Sequence, residues 1–145
     1  MTKAAVLFTP DTLILNDWNI PVFQSTVPAG VPDSIDDQSL QFINLNQHLI
    51  KNPRTTYGLT AYGESMLEAG IETGDLLIVD RGAEAKDGDI VIVFIDGGYT
   101  VKRLSRVGRQ LWLVPGNKSF KSVKVKKEQE CEVWGVVAWI IKKPR

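Results

Sequence analysis

The stretch DIVIVFIDGGYTVKRL, Asp89 to Leu104, decides the fold. Its first part is a short run of Ile, Val and Phe, side chains that crowd a helical turn but pack well on a pleated surface. Asp96-Gly97 follows, and this dipeptide readily takes the positive φ angles of a two-residue hairpin turn. Beyond the turn, alternation places Thr100, Lys102 and Leu104 on one face of a strand and Val101 and Arg103 on the other. The stretch therefore predicts two strands paired antiparallel.

Short runs of the same kind extend in both directions. TTYGLTAY and DLLIVD precede the hairpin, QLWLVP and CEVWGVVAWII follow it, and TGD, DGD, DGG, VGR and PGN punctuate them. Such spacing, beginning beyond Pro53, predicts a mainly β body in a single domain of about 110 residues, a twisted and partly closed barrel. Upstream, Leu40, Ile43, Leu45, Leu49 and Ile50 approach helical spacing, with Asp36 or Asp37 as candidate N-caps, so one short helix is expected within 36–52. Residues 1–33 hold Pro10, Pro21, Pro28 and Pro32 and no sustained period. They read as an extended N-terminal arm with little structure of its own. Its apolar members, Leu13, Leu15, Trp18, Ile20, Val22 and Phe23 among them, favour docking on the body or on a second copy over full exposure to water.

Composition narrows the chemistry. The chain has 145 residues, 43% hydrophobic, with 17 basic and 17 acidic side chains, as a globular domain does. Residues 1–101 carry 5 Lys/Arg against 14 Asp/Glu and residues 102–145 carry 12 against 3, an asymmetry that interleaving in the fold would neutralise. A single cysteine, Cys131, excludes an internal disulfide and a cysteine metal cluster. The single histidine, His48, removes most metal sites and Ser-His-Asp schemes. No metal or cofactor is expected. The runs IVIVFI and VVAWII fall far short of the ~20 apolar residues a membrane helix requires, so neither a bilayer span nor a membrane partner is expected. Val27 and Ala29 before Gly30 imitate a signal cleavage site, but no apolar h-region precedes them.

AYGESMLEAGIETGD places Ser65 between a strand and a short turn, after Gly63, where a peptide backbone can approach. A serine hydroxyl must lose its proton to attack, so it needs a base. His48 lies on the predicted helix with no acid at a telling spacing, and a packing or surface role suits it better. Lys102 is the stronger candidate, because a lysine walled by aliphatic groups loses its proton near neutral pH and can then accept one from a serine. Against this stands a solvated cation at a sheet edge, and periodicity leaves both open. Cys131 reads as a buried small hydrophobe. Asp75, Asp80, Asp87 and Asp89 read as turn formers, and Lys121, Lys124, Lys126 and Lys127 as a solvated edge.

In order and spacing, AYGESMLEAGIETGDLLIVDR, DGDIVIVFIDGGYTVKRL, LVPGN and EVWGVVAWIIK resemble the self-cleaving serine peptidases related to LexA, and most closely the UmuD-type mutagenesis proteins. The resemblance runs from about Gln24 onward, and the 37 positions between Ser65 and Lys102 fit it. It implies the LexA and signal-peptidase type of barrel, with Ser65 as nucleophile and Lys102 as general base. It also implies self-cleavage between Ala29 and Gly30, dividing an arm at 1–29 from a peptidase domain at 30–145. UmuD-type proteins often carry Cys-Gly at that bond, whereas Ala-Gly is the usual LexA form. Backbone N–H groups near Ser65 and Met66 would hold the oxyanion, with Met66 the expected donor.

The partners implied are a second copy in a homodimer, a RecA filament on single-stranded DNA that promotes the cut, and a UmuC-type translesion polymerase, all in the cytoplasm. The 29 residues ahead of Gly30 are too few for a helix-turn-helix domain, so sequence-specific DNA binding is not expected. Two other readings remain: a β-barrel binding module without catalysis, and a LexA-like or phage-repressor-like regulator lacking its DNA-binding domain. Signal peptidase shares the dyad but needs a membrane anchor.

Overall fold

The computed structural model describes residues 18–34 and 40–145, which fall into two units, 1–49 and 50–145. Asp36, Asp37, Leu13 and Leu15 lie outside the described residues.

In the first unit, β1 (Asn19–Phe23) pairs antiparallel with β2 (Leu40–Asn44), setting Ile20 opposite Ile43 and Pro21 opposite Phe42. The five-residue helix α1 (Leu45–Leu49) follows directly. Two expectations are corrected here. The arm does hold a strand, and in the described part of 36–52, residues 40–52, Leu40–Asn44 is strand and only Leu45–Leu49 is helix. Phe42 and Ile43 favour a pleated surface, and pairing with Ile20 outweighs a helical period that is weak over so few residues. The pairing tolerates Pro21, because a two-stranded sheet has only edges. Asn44 accepts a hydrogen bond at 3.3 Å from the Gln47 N–H through Oδ1, capping α1 as an N-cap side chain does. Asn44 thus starts this helix.

The second unit is β throughout, apart from one 3₁₀ turn. Among the described residues its strands are β3 (Thr56–Thr60), β4 (Leu76–Asp80), β5 (Ile90–Ile95), β6 (Gly98–Val107), β7 (Gln110–Val114), β8 (Val123–Lys124) and β9 (Cys131–Ile141). They form one antiparallel sheet in the order β3-β4-β9-β5-β6-β7-β8, a twisted barrel left open between β3 and β8. The hairpin of β5 and β6 turns at Asp96 and Gly97, whose φ angles of 52° and 81° are the positive pair expected of that dipeptide. The final strand, β9, does not sit at an edge. It inserts between β4 and β5, and its register shifts against each of them, as bulges in a strongly coiled sheet do.

The uninterrupted IVIVFI run now has a cause: both faces of β5 are covered. Ile92 joins a cluster with Ala61, Met66, Ile71, Leu77 and Val79, while Val91 and Val93 join Leu104 and Leu113 on the other side. Burying each such side chain contributes about 1.5–3 kcal/mol, so neither face tolerates a polar residue.

Candidate active site

Ser65 lies in the connection from β3 to β4. Ala61 closes the strand by donating its N–H to Asp75 O at 2.8 Å. The chain then passes through Tyr62–Met66 into the 3₁₀ turn Leu67–Ala69, which ends at Gly70 with φ of 83°. The loop is pinned on both sides of the serine. The Gly63 N–H donates to Thr73 Oγ1 at 2.8 Å, Asn117 Nδ2 donates to Glu64 O at 2.8 Å, and the Met66 side chain is buried in the first cluster. Ser65 itself is half-buried and lines a cleft of about 540 Å³, together with Met66, Tyr62, Tyr99, Val101 and Trp134.

Lys102 lies on β6, an interior strand of the sheet and not a solvated edge. It is half-buried, cross-strand from the fully buried Val91, and shares its face with Leu104. The lysine Nζ reaches Ser65 Oγ at 3.0 Å, Thr100 Oγ1 at 2.9 Å and Val101 O at 2.9 Å. Burial pushes its pKa below the ordinary lysine value. Among the described residues the ion pairs are those of Lys142 and Arg145 with Glu72 and Asp75, so no carboxylate restores the charge on Lys102. A neutral amine has two N–H donors and one lone pair. Donation to Val101 O and Thr100 Oγ1 leaves that lone pair for the Ser65 hydroxyl.

The other candidates fall elsewhere. Ala29 and Gly30 are exposed, outside any strand or helix, and belong to the first unit, as does His48 on α1. Among the described residues, its chain neighbours apart, nothing lies within 4 Å of where a Cβ on Gly30 would sit. The N–H groups of Ser65 and Met66 meet no acceptor among the described residues. Cys131 opens β9 against the second cluster, and burial, with Asp96 nearby, pushes its thiol pKa up, the opposite of an activated thiolate. Asp75, Asp87 and Asp89 accept from the backbone N–H groups of Glu72, Arg106 and Lys86. Asp80 accepts from Asn52, Thr55 and Gly82. The bonds from Glu72, Lys86 and Gly82 are the local ones of turn-forming acids, whereas those from Arg106, Asn52 and Thr55 tie together segments 19 to 28 residues apart. Lys121, Lys124, Lys126 and Lys127 are exposed on and beside β8, an edge strand.

Several residues at the site carried little weight in the sequence. Thr100 stood only as a neighbour on the face of Lys102, Asn117 only as the end of a PGN turn, and Thr73 as part of TGD. Asn117 and Thr73 act across 53 and 10 positions, which no local period reports, while Thr100 lies two residues from Lys102, where alternation gave it a face but no role.

Comparison with known proteins places the chain in a family. The family model described as Peptidase S24-like matches residues 21–138. Protein SamA of Salmonella typhimurium is 37% identical over 125 residues, covering 86% of this chain and 86% of that protein. Protein ImpA of Escherichia coli is 41% identical over 125 residues, covering 86% and 85%. Protein MucA of Escherichia coli is 37% identical over 120 residues, covering 82% of each. Matches of this extent, over a β body that brings a serine and a half-buried lysine into hydrogen-bond contact, make the chain a member of the Peptidase S24-like family.

Proposed function

We propose that this chain cuts its own Ala29–Gly30 peptide bond with a Ser65–Lys102 dyad. The observation that carries the reading is the 3.0 Å contact between Lys102 Nζ and Ser65 Oγ, made by a lysine whose burial disfavours the charged form. Neutral Lys102 takes the Ser65 proton as Oγ attacks the Ala29 carbonyl carbon, giving a tetrahedral oxyanion held by backbone N–H groups at Ser65 and Met66. The C–N bond then breaks, the proton on Lys102 passes to the Gly30 nitrogen, and Ala29 remains as an ester on Ser65. Water, deprotonated by the same amine, releases it. Pro28 fixes its own φ and presses Val27 toward an extended conformation, which suits a peptide laid into a cleft.

The resemblance to UmuD-type proteins supports a wider role. RecA filaments on single-stranded DNA promote the cut, and the shortened homodimer, residues 30–145, serves a UmuC-type translesion polymerase in the cytoplasm as a mutagenesis protein of the DNA-damage response. The test is direct. The purified full-length chain is incubated at rising pH and followed by intact mass, with and without RecA, single-stranded DNA and a nucleoside triphosphate. A fragment starting at Gly30 is expected, faster at higher pH and, at neutral pH, faster with the filament. Equal cutting by Ser65→Ala or Lys102→Ala would overturn the dyad. No response to the filament would overturn its role.

A further inference from the structure

Three hydrogen bonds join the serine loop to the turn after β7. Asn117 Nδ2 donates to Glu64 O at 2.8 Å, the Glu68 N–H donates to Gly116 O at 2.5 Å, and the Gly116 N–H donates to Met66 Sδ at 3.2 Å. The two segments touch closely: a Cβ on Gly116 would lie 2.8 Å from Ala69 Cβ and 3.2 Å from Met66 Cα. Asn117 is held from its own side as well. Its Oδ1 accepts from the Ser119 N–H at 2.9 Å and its backbone oxygen from the Phe120 N–H at 3.0 Å, so the amide is already oriented when it meets Glu64.

The carbonyl that Asn117 grips shares a planar trans peptide with the Ser65 N–H, and in such a unit the C=O and N–H point in opposite directions. Holding Glu64 O therefore fixes where the Ser65 N–H points. That N–H has no acceptor among the described residues. We propose that Asn117 is a positioning residue for the oxyanion site: it never touches the scissile bond, but its grip on Glu64 O aims the Ser65 N–H at the oxygen that becomes negative. This inference rests on Ser65 being the nucleophile.

Asn117→Asp and Asn117→Ala separate this role from that of a turn former. Aspartate keeps an oxygen for the Ser119 N–H and loses the donor to Glu64 O, whereas alanine loses both. Each full-length variant is measured for its limiting self-cleavage rate at high pH, for the pH midpoint, and for the rate at which a fluorophosphonate labels Ser65. In labelling, Ser65 Oγ bonds to phosphorus, fluoride leaves, Lys102 takes the proton, and the phosphoryl oxygen occupies the oxyanion position. Both variants should lose roughly 10- to 100-fold in limiting rate and in labelling, less than the ~100- to 1,000-fold typical of deleting an oxyanion donor itself. The pH midpoint should stay in place, since Lys102 keeps its surroundings. Parental rates in Asn117→Asp, with loss only in Asn117→Ala, would assign Asn117 to the turn and overturn the proposal. A midpoint moving with the rate would overturn it too, by tracing the loss to Lys102. If the parent chain neither cuts nor labels while folded, the serine reading falls and this inference with it; if only the Asn117 comparison fails, the dyad stands.

Discussion

Thr100 Oγ1 lies 2.9 Å from Lys102 Nζ, two residues back on the same face of β6. With Val101 O at 2.9 Å, the hydroxyl gives the lysine nitrogen two fixed neighbours beside Ser65. Oxygen acceptors favour the charged ammonium, so this pair partly offsets the effect of burial. Replacing Thr100 by the near-isosteric Val removes one acceptor and should push the Lys102 pKa further down. The self-cleavage profile of Thr100→Val is expected to shift its midpoint to lower pH, with a lower plateau as the amine loses orientation. A midpoint moving upward would contradict this account.

Burial lowers the Lys102 pKa, which fixes two signs. The cutting rate should climb with pH and level off below the ordinary lysine value of about 10.4. In the window between the depressed folded-state pKa and that value, the unfolded chain binds more protons, so stability rises with pH there. Lys102→Met should abolish cutting, a loss of at least ~100-fold for a general base. It should also flatten that part of the stability profile, measured by urea unfolding at a series of pH values on the uncuttable Ser65→Ala background.

Gly30→Glu adds a long charged side chain next to the Ala29 carbonyl, the proposed point of attack. Among the described residues, its chain neighbours apart, nothing crowds Gly30, so the substitution should leave the fold intact while keeping the bond out of the cleft. Intact mass should show no fragment, and the melting temperature should match that of the parent. A normal cut would mean that the bond lies elsewhere.

Asp80 is nearly buried at the end of β4. Hydrogen bonds from Thr55 and Asn52, with further ones from the backbone at Gly82 and Ala83, hold its pKa below the usual carboxylate value against the opposing effect of burial. Stability from this group is present above the unfolded-state pKa of about 3.9 and is lost as pH falls through the lower folded-state value. At pH 7, Asp80→Ala should cost about 1–3 kcal/mol by stranding its donors. The difference from the parent in urea unfolding should shrink in acid.

Gly135 on β9 has no room for a side chain, since a Cβ would lie 2.6 Å from Val79 Cγ1 and 3.3 Å from Asp80 O. Gly135→Ala should destabilise by about 1–3 kcal/mol through overpacking. A shift of the urea midpoint without a change in slope would confirm that the damage is local.

Much of the β body could be read from the chain because its signals are local. Val91 to Ile95 announce a strand, Asp96-Gly97 announces its turn, and both lie where expected. Ser65 stood out because it follows Gly63 in a reachable turn, and Lys102 because that serine needs a base, although Arg103 and Arg106 on the same strand left a solvated cation equally legible. What the chain hid depends on partners far along it. Leu40 to Asn44 became a strand only by pairing with Asn19 to Phe23. Asn117 acquires its meaning from Glu64, 53 residues earlier. The place of β9 between β4 and β5 is likewise a matter of pairing alone, since an apolar strand reads the same at an edge or in the middle.

That placement bears on the order in which the candidate site can be assembled. Ser65 hangs from β3 and β4, Lys102 stands on β5 and β6, and in the sheet these pairs meet only through residues 131–141. A chain still emerging from the ribosome holds both reactive groups long before it holds the strand that joins them. On the dyad reading proposed above, Ser65 and Lys102 would share one continuous sheet only once β9 has been made, so the order of translation would itself delay the cut.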